Sequence, residues 1–108
     1  MKTWAVLAII MLLGMTGNGA HFYSVRGDTV IFYLEKPKAR NVYFAHSRDG
    51  YKLHRVGAGN PGAWAIAMSA ESEFSYFYVV DGNVHVPACE FREADDFGTE
   101  NCIFVPEP

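Results

Sequence analysis

The sequence predicts an all-β domain built as a two-sheet antiparallel sandwich, and three observations predict it. Short runs rich in β-branched and aromatic residues recur along the chain with a period of two. Clusters of Gly, Pro, Asn and Asp separate them and supply turn conformations. No segment beyond residue 20 keeps the apolar period of a helix. Short strands at near-regular spacing in one domain point to an immunoglobulin-like architecture, with no repeat, low-complexity segment or second domain.

Taken in order, residues 1–20 read as a secretory signal peptide and residues 21–108 as the domain. Lys2 precedes an almost unbroken apolar stretch (WAVLAIIMLLGM), and Thr16-Gly17-Asn18-Gly19-Ala20 ends it with small residues. The stretch is shorter than the roughly 20 residues that span a bilayer, so soluble export, to the periplasm or outside the cell, is the simplest reading. No membrane association is expected once the leader is cut, and an uncleaved anchor is the minority reading.

The first strand run, Thr29 to Leu34 (TVIFYL), stops at Glu35-Lys-Pro-Lys, and the second, Asn41 to Ala45 (NVYFA), at Ser47-Arg-Asp-Gly. A turn at Gly57-Ala-Gly-Asn-Pro-Gly leads into Ala63 to Met68 (AWAIAM), whose Trp64 sits between small residues and is read as a core ring. Glu73 to Val80 (EFSYFYVV) joins Val84-His85-Val86 across Asp81-Gly82-Asn83, a strong hairpin signal. Alternation puts Phe74, Tyr76, Tyr78 and Val80 on one face and Ser75, Phe77 and Val79 on the other. One face is core, and the other must be covered or bind something. Ile103 to Val105 is the last run.

Charge and cysteine usage narrow the function. Without the leader's Lys2, eight basic residues face twelve acidic ones, a net charge of −4, which argues against a nucleic-acid partner. Cys89 and Cys102, the only two cysteines, both fall in the exported part, where a disulfide is their expected fate and a thiolate zinc site is not. The bridge would close a segment with five acids in fourteen residues; their spacing is not that of a calcium loop, and a charge run is usually a solvated surface. His21, His46, His54 and His85 are not spaced as ligands, so no metal or other cofactor is expected, although His54 beside Tyr51 could hydrogen-bond a sugar hydroxyl. A short chain with no evident nucleophile and base is not read as an enzyme.

The strand ending Val-Tyr-Phe-Ala, then Ser-Arg-Asp-Gly-Tyr, the Gly-Ala-Trp-Ala-Ile strand, Tyr-Phe-Tyr-Val-Val-Asp-Gly and Asp-Phe-Gly-Thr-Glu-Asn-Cys-Ile together carry a resemblance. From about Asp28 to Val105 the chain resembles the early-set immunoglobulin-like glycogen-binding domains of the AMP-activated protein kinase beta subunit and of glycogen-branching enzymes. The resemblance implies aromatic rings stacking on the glucose units of an α-glucan, with polar groups fixing their orientation. Carried over by position, the carbohydrate-binding residues are Tyr51, Phe97, Thr99 and Asn101, with Tyr51 where the family usually has tryptophan and Phe97 at a leucine position. Phe77 stands in place of the family's lysine and Val84 in place of a tryptophan, so one polar anchor and one platform are absent. Two functions follow as expectations. The first is an exported, non-catalytic carbohydrate-binding module for an α-glucan oligosaccharide. The alternative is an envelope protein–protein interaction module that keeps the fold and has lost glycogen binding. Tyr51 itself has two readings, a ligand platform on a loop or a ring that caps the sandwich edge.

Overall fold

The computed structural model describes residues 21–60, 62–94 and 98–107, so the expected leader and Phe97 lie outside the described residues. Ten strands are present among the described residues: β1 (His21–Arg26), β2 (Thr29–Glu35), β3 (Val42–His46), β4 (His54–Arg55), β5 (Gly57–Asn60), β6 (Ala63–Ser69), β7 (Phe74–Val80), β8 (Asn83–His85), β9 (Phe91–Ala94) and β10 (Glu100–Phe104). One 3₁₀ turn, Ser47–Asp49, follows β3. All pairings are antiparallel and form two sheets, one in the order β1-β2-β6-β5 and the other β4-β3-β7-β10-β9. β8 also belongs to the second sheet. β10 pairs with the start of β7 through Phe104↔Phe74 and Cys102↔Tyr76, and β8 with its end through Val80↔Asn83, so both share the edge of β7 opposite β3.

The sheets form a sandwich because alternate residues of facing strands are apolar. Val30, Phe32 and Leu34 of β2 face Val42 and Phe44 of β3, Phe74, Tyr76 and Tyr78 of β7, and Cys102 and Phe104 of β10, and all of them are buried. Phe32 is the hub: its ring centroid lies 4.7 Å from that of Tyr76 and 5.6 to 6.0 Å from those of Phe44, Phe74 and Phe104. Burying each such side chain contributes about 1.5–3 kcal/mol. Trp64 packs against this core, and its indole N–H donates to the Lys36 carbonyl at 3.3 Å.

The hairpin forms as the sequence predicts, with a tighter turn. Asn83 is already in β8, so Asp81 and Gly82 alone make the connection, with φ of 49° and 84°, the left-handed pair of a type I′ turn. The Asp81 carboxylate fixes this corner by accepting the backbone N–H groups of Arg40 (2.9 Å) and Asn41 (2.8 Å), and these bonds hold its pKa below the ordinary carboxylate range.

Two expectations change. The sequence predicts one turn over Gly57 to Gly62, whereas Gly57–Asn60 is strand β5, paired with β6, and the turn is seen at Gly62. Glycine and alanine give no side-chain signal, and pairing with an established neighbour decides the conformation. Gly62 has φ of 82°, and a Cβ there would lie 2.7 Å from the Pro37 Cα, so the corner admits only glycine without movement. The last run starts earlier and ends sooner, because β9 pairs with β10 from Glu100 to Ile103.

Cys89 and Cys102 form the expected disulfide, with Cα atoms 5.9 Å apart, tying the segment before β9 to the buried middle of β10. No helix among the described residues is long and apolar enough to cross a membrane.

Candidate functional site

The outer face of the second sheet carries two of the four expected binding residues, Tyr51 and Asn101. The register places Tyr43 opposite Val79, Ala45 opposite Phe77, Val84 opposite Val79, and Ile103 opposite Ser75, all on the side away from the core. Asn101 follows by alternation from Ile103 and is 8% exposed. The result is an apolar and aromatic stripe with Arg55 and Glu93 on the flanking edge strands, and Val84 is its most exposed apolar member at 66%.

Tyr51 reaches this face from the loop after β3, and its position is fixed in detail. The Ser47 hydroxyl accepts the Ser75 N–H (3.0 Å), the Arg48 guanidinium donates to the Ser72 carbonyl (2.7 Å), and the Tyr51 N–H donates to the His46 carbonyl (2.8 Å). Arg48 also lies 4.4 Å from the Phe74 ring centroid, a cation–π contact. Gly50 and Tyr51 then take φ of 75° and 66°, which turns the chain over the sheet. A left-handed tyrosine is uncommon, and its side chain accounts for it. The ring lies nearly parallel to that of Phe77, with centroids 5.6 Å apart and planes at 20°, and the hydroxyl bonds the Ser75 hydroxyl at 2.6 Å.

Of the four carried-over residues, the structure brings Tyr51 and Asn101 to one face, and Thr99 is exposed at the approach to β10. Phe77 stacks against the Tyr51 ring on this face.

The inner side of the same loop holds a cluster that residue spacing does not reveal. His46, Asp49 and His54 each direct one ligand-type atom into a group whose atoms lie within 4.8 Å of one another. The pairing of β3 with β4, which sets His54 opposite Phe44 and diagonal to His46, is the missing information.

A further feature is the seam where β1 overhangs the second sheet. Tyr23 packs against Phe32 and Phe104 yet stays 48% exposed, and Val25 is 49% exposed. Two grooves open along it, one of about 280 Å³ bordered by His21, Tyr23, Tyr76 and Phe91, the other of about 450 Å³ bordered by Tyr23, Val25, Phe104 and Val105.

No protein-family model matches the chain, and no curated protein matches it.

Proposed function

We propose that this domain is an exported, non-catalytic binding module that lays the outer face of its second sheet against a carbohydrate, with an α-glucan oligosaccharide as the ligand class. The observation that carries the reading is the Tyr51 ring, held flat on Phe77 and anchored through Ser75. A ring fixed before the ligand arrives loses little freedom on binding, which is how a shallow aromatic site gains affinity for a sugar face. Asn101 lies on the same face, and Thr99 at the approach to β10 extends the polar rim. The middle of that face is aromatic and aliphatic, with the charged Arg55 and Glu93 on its two edge strands, which suits a stacking surface with a polar rim. The Cys89–Cys102 bridge fits an oxidising, extracytoplasmic setting.

The test is a nuclear magnetic resonance titration of the oxidised domain with maltoheptaose. Saturable shifts confined to Tyr51, Phe77 and Asn101, abolished by Tyr51→Ala in a folded protein, support the reading. A flat titration to millimolar sugar ends it.

A second reading rests on the seam. β1 is an edge strand whose exposed Tyr23 borders both grooves and whose Val25 borders the larger one, so an extended segment of an envelope protein could pair along it and set apolar side chains into them. Crosslinking to such a partner that is lost in Tyr23→Lys and kept in Tyr51→Ala distinguishes this surface from the sugar face.

A further inference from the structure

We propose that His46, Asp49 and His54 bind a single divalent transition-metal ion, of which zinc is the representative. This does not rest on the carbohydrate reading, because the cluster lies on the opposite side of the loop from the Tyr51 ring.

The three donors differ in rigidity in a way that suits ion capture. His46 closes the core-facing row of β3, 9% exposed, with its ring against Phe44 and Phe74. Asp49 is set by the 3₁₀ turn, and one carboxylate oxygen accepts the Lys52 N–H at 3.2 Å, which leaves the other for the imidazoles. That second oxygen is 2.5 Å from His54 Nε2 and 3.6 Å from His46 Nε2. His54 is the adjustable member, on a two-residue edge strand with its side chain 43% exposed.

The distances lie close to those of an occupied site. Zinc bonds of about 2.0–2.1 Å in a tetrahedron put donors about 3.3–3.4 Å apart. The Asp49–His46 separation of 3.6 Å must close by about 0.2–0.3 Å, the Asp49–His54 separation must open by less than 1 Å, and all three donors lie within 4.8 Å of one another. The two imidazoles are parallel, with centroids 5.0 Å apart and planes at 10°. Their lone pairs converge on one ion when the exposed His54 tilts out of that stack. Two imidazoles and one carboxylate form a donor set for first-row transition ions, whereas calcium and magnesium take oxygen ligands. Three protein donors leave a fourth position for water or a ligand atom.

Electrostatics favour the same occupant. Burial pushes the His46 imidazole below its ordinary pKa, against the neighbouring Asp49 carboxylate. Although desolvation opposes it, the His54 hydrogen bond, the Lys52 N–H and the two nearby imidazoles keep Asp49 below its ordinary range.

The experiment is isothermal titration of the untagged, oxidised chain with Zn²⁺ near pH 7.5, with imidazole ¹⁵N–¹H spectra recorded in parallel. One ion per chain with displacement of the His46 and His54 ring resonances is expected. His54→Gln and Asp49→Asn should each weaken uptake by at least about tenfold, the scale of losing one ligand or its support. His85→Gln should leave it unchanged. Near-UV circular dichroism establishes that each variant is folded. Absence of saturable uptake by the folded wild-type chain, uptake undiminished in both His54→Gln and Asp49→Asn, or displacement of His21 and His85 instead overturns the proposal.

Discussion

Tyr51 is the residue on which the site depends, and replacing it in three ways separates what holds it. Tyr51→Phe removes only the 2.6 Å bond to the Ser75 hydroxyl, and Ser75 is 6% exposed, so the loss is about 0.5–1.5 kcal/mol. Tyr51→Ala removes the contact with Phe77 as well, adding about 0.5–1.5 kcal/mol for the ring pair and about 1 kcal/mol or more for half-buried apolar area, or about 2–4 kcal/mol in all. Tyr51→Gly removes the same side chain but relieves the backbone, whose φ is 66°. A non-glycine residue in this region costs about 1–2 kcal/mol, offset by the extra freedom of glycine in the unfolded chain at about 0.5–1 kcal/mol. Tyr51→Gly should therefore be the more stable of the two truncations by about 0.5–1 kcal/mol. Urea unfolding of the oxidised domain, followed by tryptophan fluorescence with a shared slope, measures all three variants. Tyr51→Phe as stable as wild type, or Tyr51→Ala as stable as Tyr51→Gly, refutes the picture of a strained residue held by its ring and hydroxyl.

Replacing Cys89 and Cys102 by alanine frees a loop with a sequence separation of 13 in the unfolded chain, and thermal unfolding should show a loss of about 3 kcal/mol. Gly62→Ala should cost at least about 1 kcal/mol in urea, since it adds both left-handed strain and a Cβ 2.7 Å from the Pro37 Cα. Acid titration of stability has a defined sign at His21, whose pKa burial lowers from 6.5 to about 4 against the opposing hydrogen bond to the Ala88 carbonyl. The unfolded chain binds the proton first, so this contribution is complete above pH 6.5 and lost as pH falls towards 4. His21→Phe should flatten urea midpoints measured across that window, and an unchanged slope contradicts the assignment.

The sandwich was legible because its central strands carry their own signals. β2, β3, β6 and β7 are dense in β-branched and aromatic residues, and Asp81-Gly82 names its turn. β1, β4, β5 and β9 were not legible, for a shared physical reason. They lie towards the sheet edges and owe their conformation to a neighbour: β4 is His54-Arg55, β5 begins Gly-Ala-Gly, and β9 reads Phe-Arg-Glu-Ala with every residue exposed. The same distinction applies to the site. Tyr51 could be placed on a loop by its Asp-Gly context, but its stack with Phe77 depends on β3–β7 register and on two successive left-handed residues. His46 and His54 look unrelated as sequence positions, and only a pairing across a two-residue strand brings them together.

One seven-residue connection, between β3 and β4, therefore sets two surfaces. Ser47 and Arg48 fasten it to the start of β7, Asp49 points to the imidazoles at the inner edge, and the reversal at Gly50 and Tyr51 carries the next side chain to the outer face. The surfaces share more than a covalent link, because the Tyr51 N–H is bonded to the carbonyl of His46, a proposed metal ligand. An ion that draws Asp49 and His46 together acts on both ends of that 2.8 Å bond. The Tyr51 amide resonance should consequently move on zinc addition, whereas the amides of Val84 and Ile103, held by strand pairing on the same outer face, should stay in place. Movement of all three would mean that the sheet rather than the loop carries the effect, and the two surfaces would then be coupled through the core.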